Sequence, residues 1–114
     1  MEDKLYYVYV IRCVDNSLYT GITTDVKRRF SEHTLRRSKN EKYTRSRPPV
    51  SVEAVWSCAN RSDASKLEYA IKKLTKQNKE ELINYPHTFD SIFGNTVNPD
   101  SYEYRKEFEG PLKE

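Results

Sequence analysis

Residues 5–13, LYYVYVIRC, set six aromatic or β-branched side chains in a row from Tyr6 to Ile11. Such residues pack well on a pleated surface and lose rotamer freedom in a helix, so the run predicts a strand. Asp15-Asn16-Ser17 supplies turn chemistry. Leu18 to Ile22 reads as a second short strand, with Gly21 as the turn residue that ends it. Together they predict an antiparallel hairpin with a polar loop and apolar arms.

Beyond the hairpin, Thr23 or Thr24 is expected to cap a helix over about residues 25 to 34, with Asp25 in its first turn beside the positive end of the dipole. Val26 and Phe30 fall on its buried face, and Arg29 and His33 form a four-residue pair on an adjoining stripe. Arg36 to Pro49 is polar and basic and ends in two prolines, which predicts a loop with one helical turn near Lys42 to Arg45. Val50 to Ser57 reads as a third strand with Val50, Val52, Ala54 and Trp56 on one side. Ser62 is expected to cap a helix whose core stripe is Ala64, Leu67, Ile71 and Leu74, and a second helix restarts at Thr75 and runs to Ile83. The order β-β-α-β-α-α predicts a small α+β domain, a three-stranded antiparallel sheet flanked by helices.

After Asn84, Pro86, Gly94, Pro99, Gly110 and Pro111 interrupt regular structure, while Phe89, Ile92, Phe93, Tyr102, Tyr104 and Phe108 are available for docking. A short helix over about residues 101 to 108 fits there. The division expected is a body, residues 1–83, and an acidic, aromatic extension, residues 84–114. One version of its role has it covering a basic cleft on the body.

A chain of 114 residues supports one core, and 36% hydrophobic against 32% charged residues makes that core small and its surface ionic. No stretch approaches the roughly 20 apolar residues that a membrane span needs. The beginning, MEDKLYYVYV, lacks a cleavable apolar segment, so a cytoplasmic location is expected. Cys13 and Cys58 stand far apart without metal-site spacing and read as reduced, partly buried thiols. The net charge of +3 hides an asymmetry: residues 27 to 47 carry nine Lys or Arg against Glu32 and Glu41, whereas residues 84 to 114 carry six acids against three bases. A concentrated basic face neutralises phosphates and releases counterions, so nucleic acid is the expected partner.

Glu68 sits beside the buried stripe of its helix. A carboxylate there either pairs with Lys72 one turn on or serves as the single protein ligand of a hard cation.

The chain resembles the GIY-YIG nuclease superfamily, named for two tripeptides on adjacent strands of a hairpin. Tyr7-Val8-Tyr9 stands at the first and Tyr19-Thr20-Gly21 at the second. Arg29, His33 and Glu68 fall where the superfamily has an arginine, a histidine and a glutamate on later helices. The likeness covers about residues 6 to 83, and KYTRSRPPV and LEYAIKKLTKQNKEELI are similar to the small stand-alone members. Tyr7 and Thr20 depart from the motifs without removing a reacting group.

The resemblance implies a divalent-metal-dependent endonuclease that hydrolyses DNA phosphodiesters, in repair or recombination, on branched, damaged or single-stranded forms. It implies one Mg2+ or Mn2+ ion on Glu68, with Tyr9, Tyr19, Arg29 and His33 as the other catalytic residues and the base role undivided among Tyr9, Tyr19 and His33. Lys27, Arg28, Arg36, Arg37, Lys42, Tyr43, Arg45 and Arg47 are then the expected backbone-binding surface. The alternative is a nucleic-acid-binding module on the same fold that does not cut, or cuts only with a protein partner that supplies specificity.

Overall fold

A computed structural model describes residues 4–36 and 49–112, the side chains of 32–36 excepted. The hairpin forms as expected: β1 (Tyr6–Cys13) pairs antiparallel with β2 (Leu18–Thr23). Its turn closes through Asn16 N to Cys13 O at 2.8 Å and Cys13 N to Ser17 O at 2.9 Å. Asn16 has a positive φ of 72°, a conformation that a short polar side chain tolerates, and Asp15 Oδ1 accepts from Ser17 N at 3.0 Å.

β3 (Pro49–Cys58) pairs antiparallel with the other edge of β1. Tyr9 faces Val55 and Val10 faces Ala54, but Ile11 faces Val52, so Glu53 is an extra residue and the strand is bulged. The bulge corrects the expected face of β3. Ala54 and Trp56 join Val8 and Val10 on one side, whereas Val52 joins Tyr9 and Ile11 on the other, and Val50 is largely exposed.

The first face is covered by α2 (Arg61–Lys72), α3 (Lys76–Asn84) and α4 (Phe89–Phe93). Ala64, Leu67 and Ile71 from α2, Leu82 and Ile83 from α3, and Phe89 and Phe93 meet there around Trp56. Thr75 caps α3 as expected, accepting from Asn78 N at 3.1 Å. The cap of α2 is Asn60 rather than Ser62: Asn60 is extended and its Oδ1 accepts from Asp63 N at 2.8 Å, two residues before the expected start. The second face carries Tyr9, Ile11, Val52 and Val55, with Phe30 of α1 (Val26–Arg36) packed against them. Asp25, expected in the first turn, is instead the cap, accepting from Arg28 N at 3.2 Å, while Thr23 Oγ1 accepts from Asp25 N at 3.0 Å.

The extension joins the sheet. β4 (Glu103–Tyr104) pairs with β3 at Trp56 and Ser57, and β5 (Gly110–Pro111) pairs with it at Ser51 and Val52. The helix expected over 101–108 is therefore replaced by a strand and a short 3-10 turn, Lys106–Phe108. Arg105 N donates to Val55 O at 2.7 Å and Arg105 Nε to Ser57 Oγ at 2.8 Å, bonds a local helix would forgo. The order β2-β1-β3-β4 puts the extension at the edge opposite β2.

Arg12 on β1 ties the sheet to α3 by donating to both carboxylate oxygens of Glu80, at 2.8 and 2.7 Å. That hydrogen bond, with Lys76 adding to it against the cost of burial, lowers the Glu80 carboxyl to about 2. A depressed carboxylate contributes stability above its unfolded pKa near 4.5 and loses it as pH falls toward 2. Glu80→Gln is expected to cost about 1–2 kcal/mol at pH 7, as charge-assisted hydrogen bonds do, and to flatten the fall of the melting temperature between those pH values. Identical acid sensitivity in the variant would show that the pair contributes nothing.

Candidate active site

Tyr9 lies in the middle of β1 and is 0% exposed. Its cross-strand partner is Gly21, within β2 rather than at a turn, which corrects the sequence expectation. Gly21 is not among the residues with positive φ. What requires glycine is the ring of Tyr9, since a Cβ on residue 21 would sit 2.5 Å from its Oη. The sequence signal was the hairpin register itself: Tyr9 and Gly21 are equidistant from the turn.

Phe30, one turn beyond Val26 on α1, meets Tyr9 edge-on with ring centroids 5.4 Å apart. The same helix delivers Arg29, whose Nε donates to Tyr9 Oη at 3.0 Å. Tyr19 on β2 is half-buried, its ring centroid 6.4 Å from that of Tyr9. Its phenol is pushed up, first by burial and then by Tyr9 beside it, while Arg29 opposes the shift through its charge and a hydrogen bond. Glu68 also raises it, so the carboxylate from α2, which packs on β2, acts on the same phenol.

Tyr9, Tyr19 and Arg29 thus come together from three elements, and Glu68 stands on a fourth that packs on β2. Glu68 pairs with Lys72 Nζ at 3.1 Å and remains about a quarter exposed. A part-exposed carboxylate beside a phenol suits a small hard cation, which keeps several waters and takes few protein ligands. Among the described residues no group of three or more His, Cys, Asp or Glu side chains forms a denser cage.

On the far side of Arg29, a pocket of about 210 Å³ is lined by Ile22, Thr23, Thr24, Asp25, Arg28 and Arg29. Lys27 and Arg28 lie on the exposed side of α1. His33 and Arg36 belong to the same helix by backbone, with side chains outside the described residues. Arg37, Lys42, Tyr43, Arg45 and Arg47 also lie outside them. Tyr7, which stands in place of a motif glycine, is met edge-on by Phe108 of the extension, with centroids 5.9 Å apart. Among the described residues no helix is long and apolar enough to cross a membrane.

The GIY-YIG catalytic domain family matches residues 5–81. A UPF0213 protein of Desulfotalea psychrophila is 47% identical over 78 residues, 68% of this chain and 70% of that one. The UPF0213 protein YhbQ of Salmonella arizonae is 39% identical over 94 residues, 82% of this chain and 92% of that one. The solution NMR structure of the UPF0213 protein BH0048 from Bacillus halodurans shares 35% identity, with a TM-score of 0.47, over 82% of this chain and 99% of that one.

Proposed function

The chain belongs to the GIY-YIG catalytic domain family, and from that premise we propose that it is a divalent-metal-dependent endonuclease hydrolysing DNA phosphodiesters. The observation that carries this reading is the Arg29 guanidinium held on the Tyr9 hydroxyl, beside a phenol that also feels Glu68. A buried phenol that fixes a guanidinium has a use where charge develops, as on the pentavalent phosphate of an in-line displacement.

Tyr9, with no exposed surface, positions Arg29. Arg29 offers a fixed planar charge to the non-bridging phosphoryl oxygens. Tyr19, protonated at neutral pH as an ordinary phenol is and pushed further that way by burial, donates to the attacking water or the phosphate and sets the line of attack. His33, one helical turn beyond Arg29 along the backbone, is carried over from the family motif as a candidate to accept the proton of that water. Glu68 would hold one Mg2+ or Mn2+, which would supply Lewis-acid stabilisation of the leaving 3′-oxygen and acidify water. Lys27 and Arg28 add backbone affinity without sequence preference.

The test is incubation with supercoiled, nicked, branched and single-stranded DNA in magnesium or manganese. Cutting dependent on the ion is expected; salt-sensitive binding without cutting on any substrate would establish a binding module instead. Tyr19 supplies a further check through pH. Because its donor form persists above the ordinary phenol value, the alkaline loss of cleavage should begin above about pH 10. Tyr19→Phe should slow cleavage at pH 7 about 10- to 100-fold, the scale of one lost catalytic hydrogen bond, and abolish that alkaline limb. An unchanged profile in the variant would remove Tyr19 from the reaction.

A further inference from the structure

Tyr69 follows Glu68 on α2 and is 65% exposed. It belongs to neither apolar cluster, and among the other described aromatic residues of β1, β2 and the extension Tyr85, 57% exposed, shares that exclusion. An aromatic residue is a poorer helix former than the Lys or Glu around it, and here most of its surface stays exposed. Lys73 Nζ lies 5.1 Å from the centroid of that ring. Lys72 lies between this pair and the site, its ammonium 3.1 Å from Glu68, and Lys66 is exposed one turn earlier. From the carboxylate outward, α2 and its cap therefore present an acid, ammonium groups and an exposed aromatic ring with Lys73 against it.

We propose that Tyr69, with Lys73, is a stacking platform for an unpaired nucleobase next to the scissile phosphate, so that the substrate is DNA carrying a single-stranded nucleotide at the cleavage point. The inference rests on the reading of Glu68 and Arg29 as the phosphodiester site. The lysines supply the phosphate attraction and the ring supplies the preference. Bases inside a duplex already have both faces covered by their neighbours, whereas an unpaired base gains a contact that any of the four can make. Tyr69 lies about 100° around α2 from Glu68 with Lys72 at an angle between them, so a strand whose phosphate lies at the carboxylate must follow the helix surface past Lys72 for its adjoining base to reach the ring.

Binding is measured without divalent metal, so that nothing is cut, by fluorescence anisotropy of a labelled oligodeoxythymidine and of a labelled hairpin duplex. Tyr69→Ala should weaken binding of the single strand about tenfold and that of the duplex by less than about twofold, and Tyr69→Phe should restore it. Equal losses on both DNAs, or none on either, overturn the platform. The melting temperature of Tyr69→Ala should stay at the wild-type value, since the ring touches no core. Hydrolysis of thymidine 5′-(p-nitrophenyl phosphate) in manganese reads the phosphodiester site without a stacked base, and Tyr69→Ala should leave it unchanged. A wild-type protein inert on that ester and on DNA, yet with Tyr69-dependent binding of single strands, supports the platform and overturns the hydrolase reading.

Discussion

Glu68→Ala and Arg29→Ala should each lower DNA cleavage on the order of 10²- to 10³-fold or more, the range found when one preorganised charge is taken from a site where negative charge develops. Neither change should unfold the protein. Glu68 gives up a part-exposed i,i+4 pair with Lys72, worth roughly 0.3–0.5 kcal/mol, so its melting temperature should barely move. Metal-free DNA binding separates the two. Removing the Glu68 carboxylate should leave it unchanged or tighter, because a negative charge leaves the phosphate path, while losing Arg29 should weaken it slightly. Added manganese should recover Glu68→Ala only in part, since the carboxylate is the sole protein anchor assigned to the ion. Cleavage surviving both substitutions would move the reaction away from these residues.

The candidate site residues were legible in the sequence through the likeness to the GIY-YIG motifs, while local periods only put them on their elements: Tyr9 and Tyr19 on strands, Arg29 one helical step from Phe30, and Glu68 one step from Leu67. What the periods do not carry is register between distant strands. The extra residue at Glu53 turns Val52 to the opposite face, and it is set by how β3 meets β1, forty residues away in the chain. The extension was opaque for a related reason: β4 and β5 are two residues each, too short to alternate, and they exist because β3 offers a free edge. Part of the extension reaches the site's own face of the sheet, where Phe108 and Leu112 pack against the cluster that holds Tyr9, as Tyr19 does. Asn60 shows the limit for caps, where two good candidates stand two residues apart and only the backbone conformation selects one.

Gly21→Ala tests the link between the hairpin and the chemistry. In most strands this change gains roughly 0.5–1 kcal/mol, because alanine gives up less chain entropy on folding. Here the added methyl would lie 2.5 Å from Tyr9 Oη and 2.6 Å from Cζ, when carbon contacts settle at about 3.5–4.0 Å. The ring has nowhere to go: Tyr9 is fully buried, with Phe30 against one side and Val55 paired across the other strand. Overpacking of this kind costs about 1–3 kcal/mol, so the sign should reverse and the melting temperature should fall by several degrees, at about 4–8 °C per kcal/mol for a domain of this size. Cleavage should fall further than stability predicts, because any tilt of the ring breaks the hydrogen bond that aims Arg29. Adding Tyr9→Phe removes the nearest clashing atom and leaves Cζ, so it should recover part of the stability and none of the activity. A Gly21→Ala protein that melts higher than wild type would mean that Tyr9 does not lie over β2, and Arg29 would then lose the support on which its role depends.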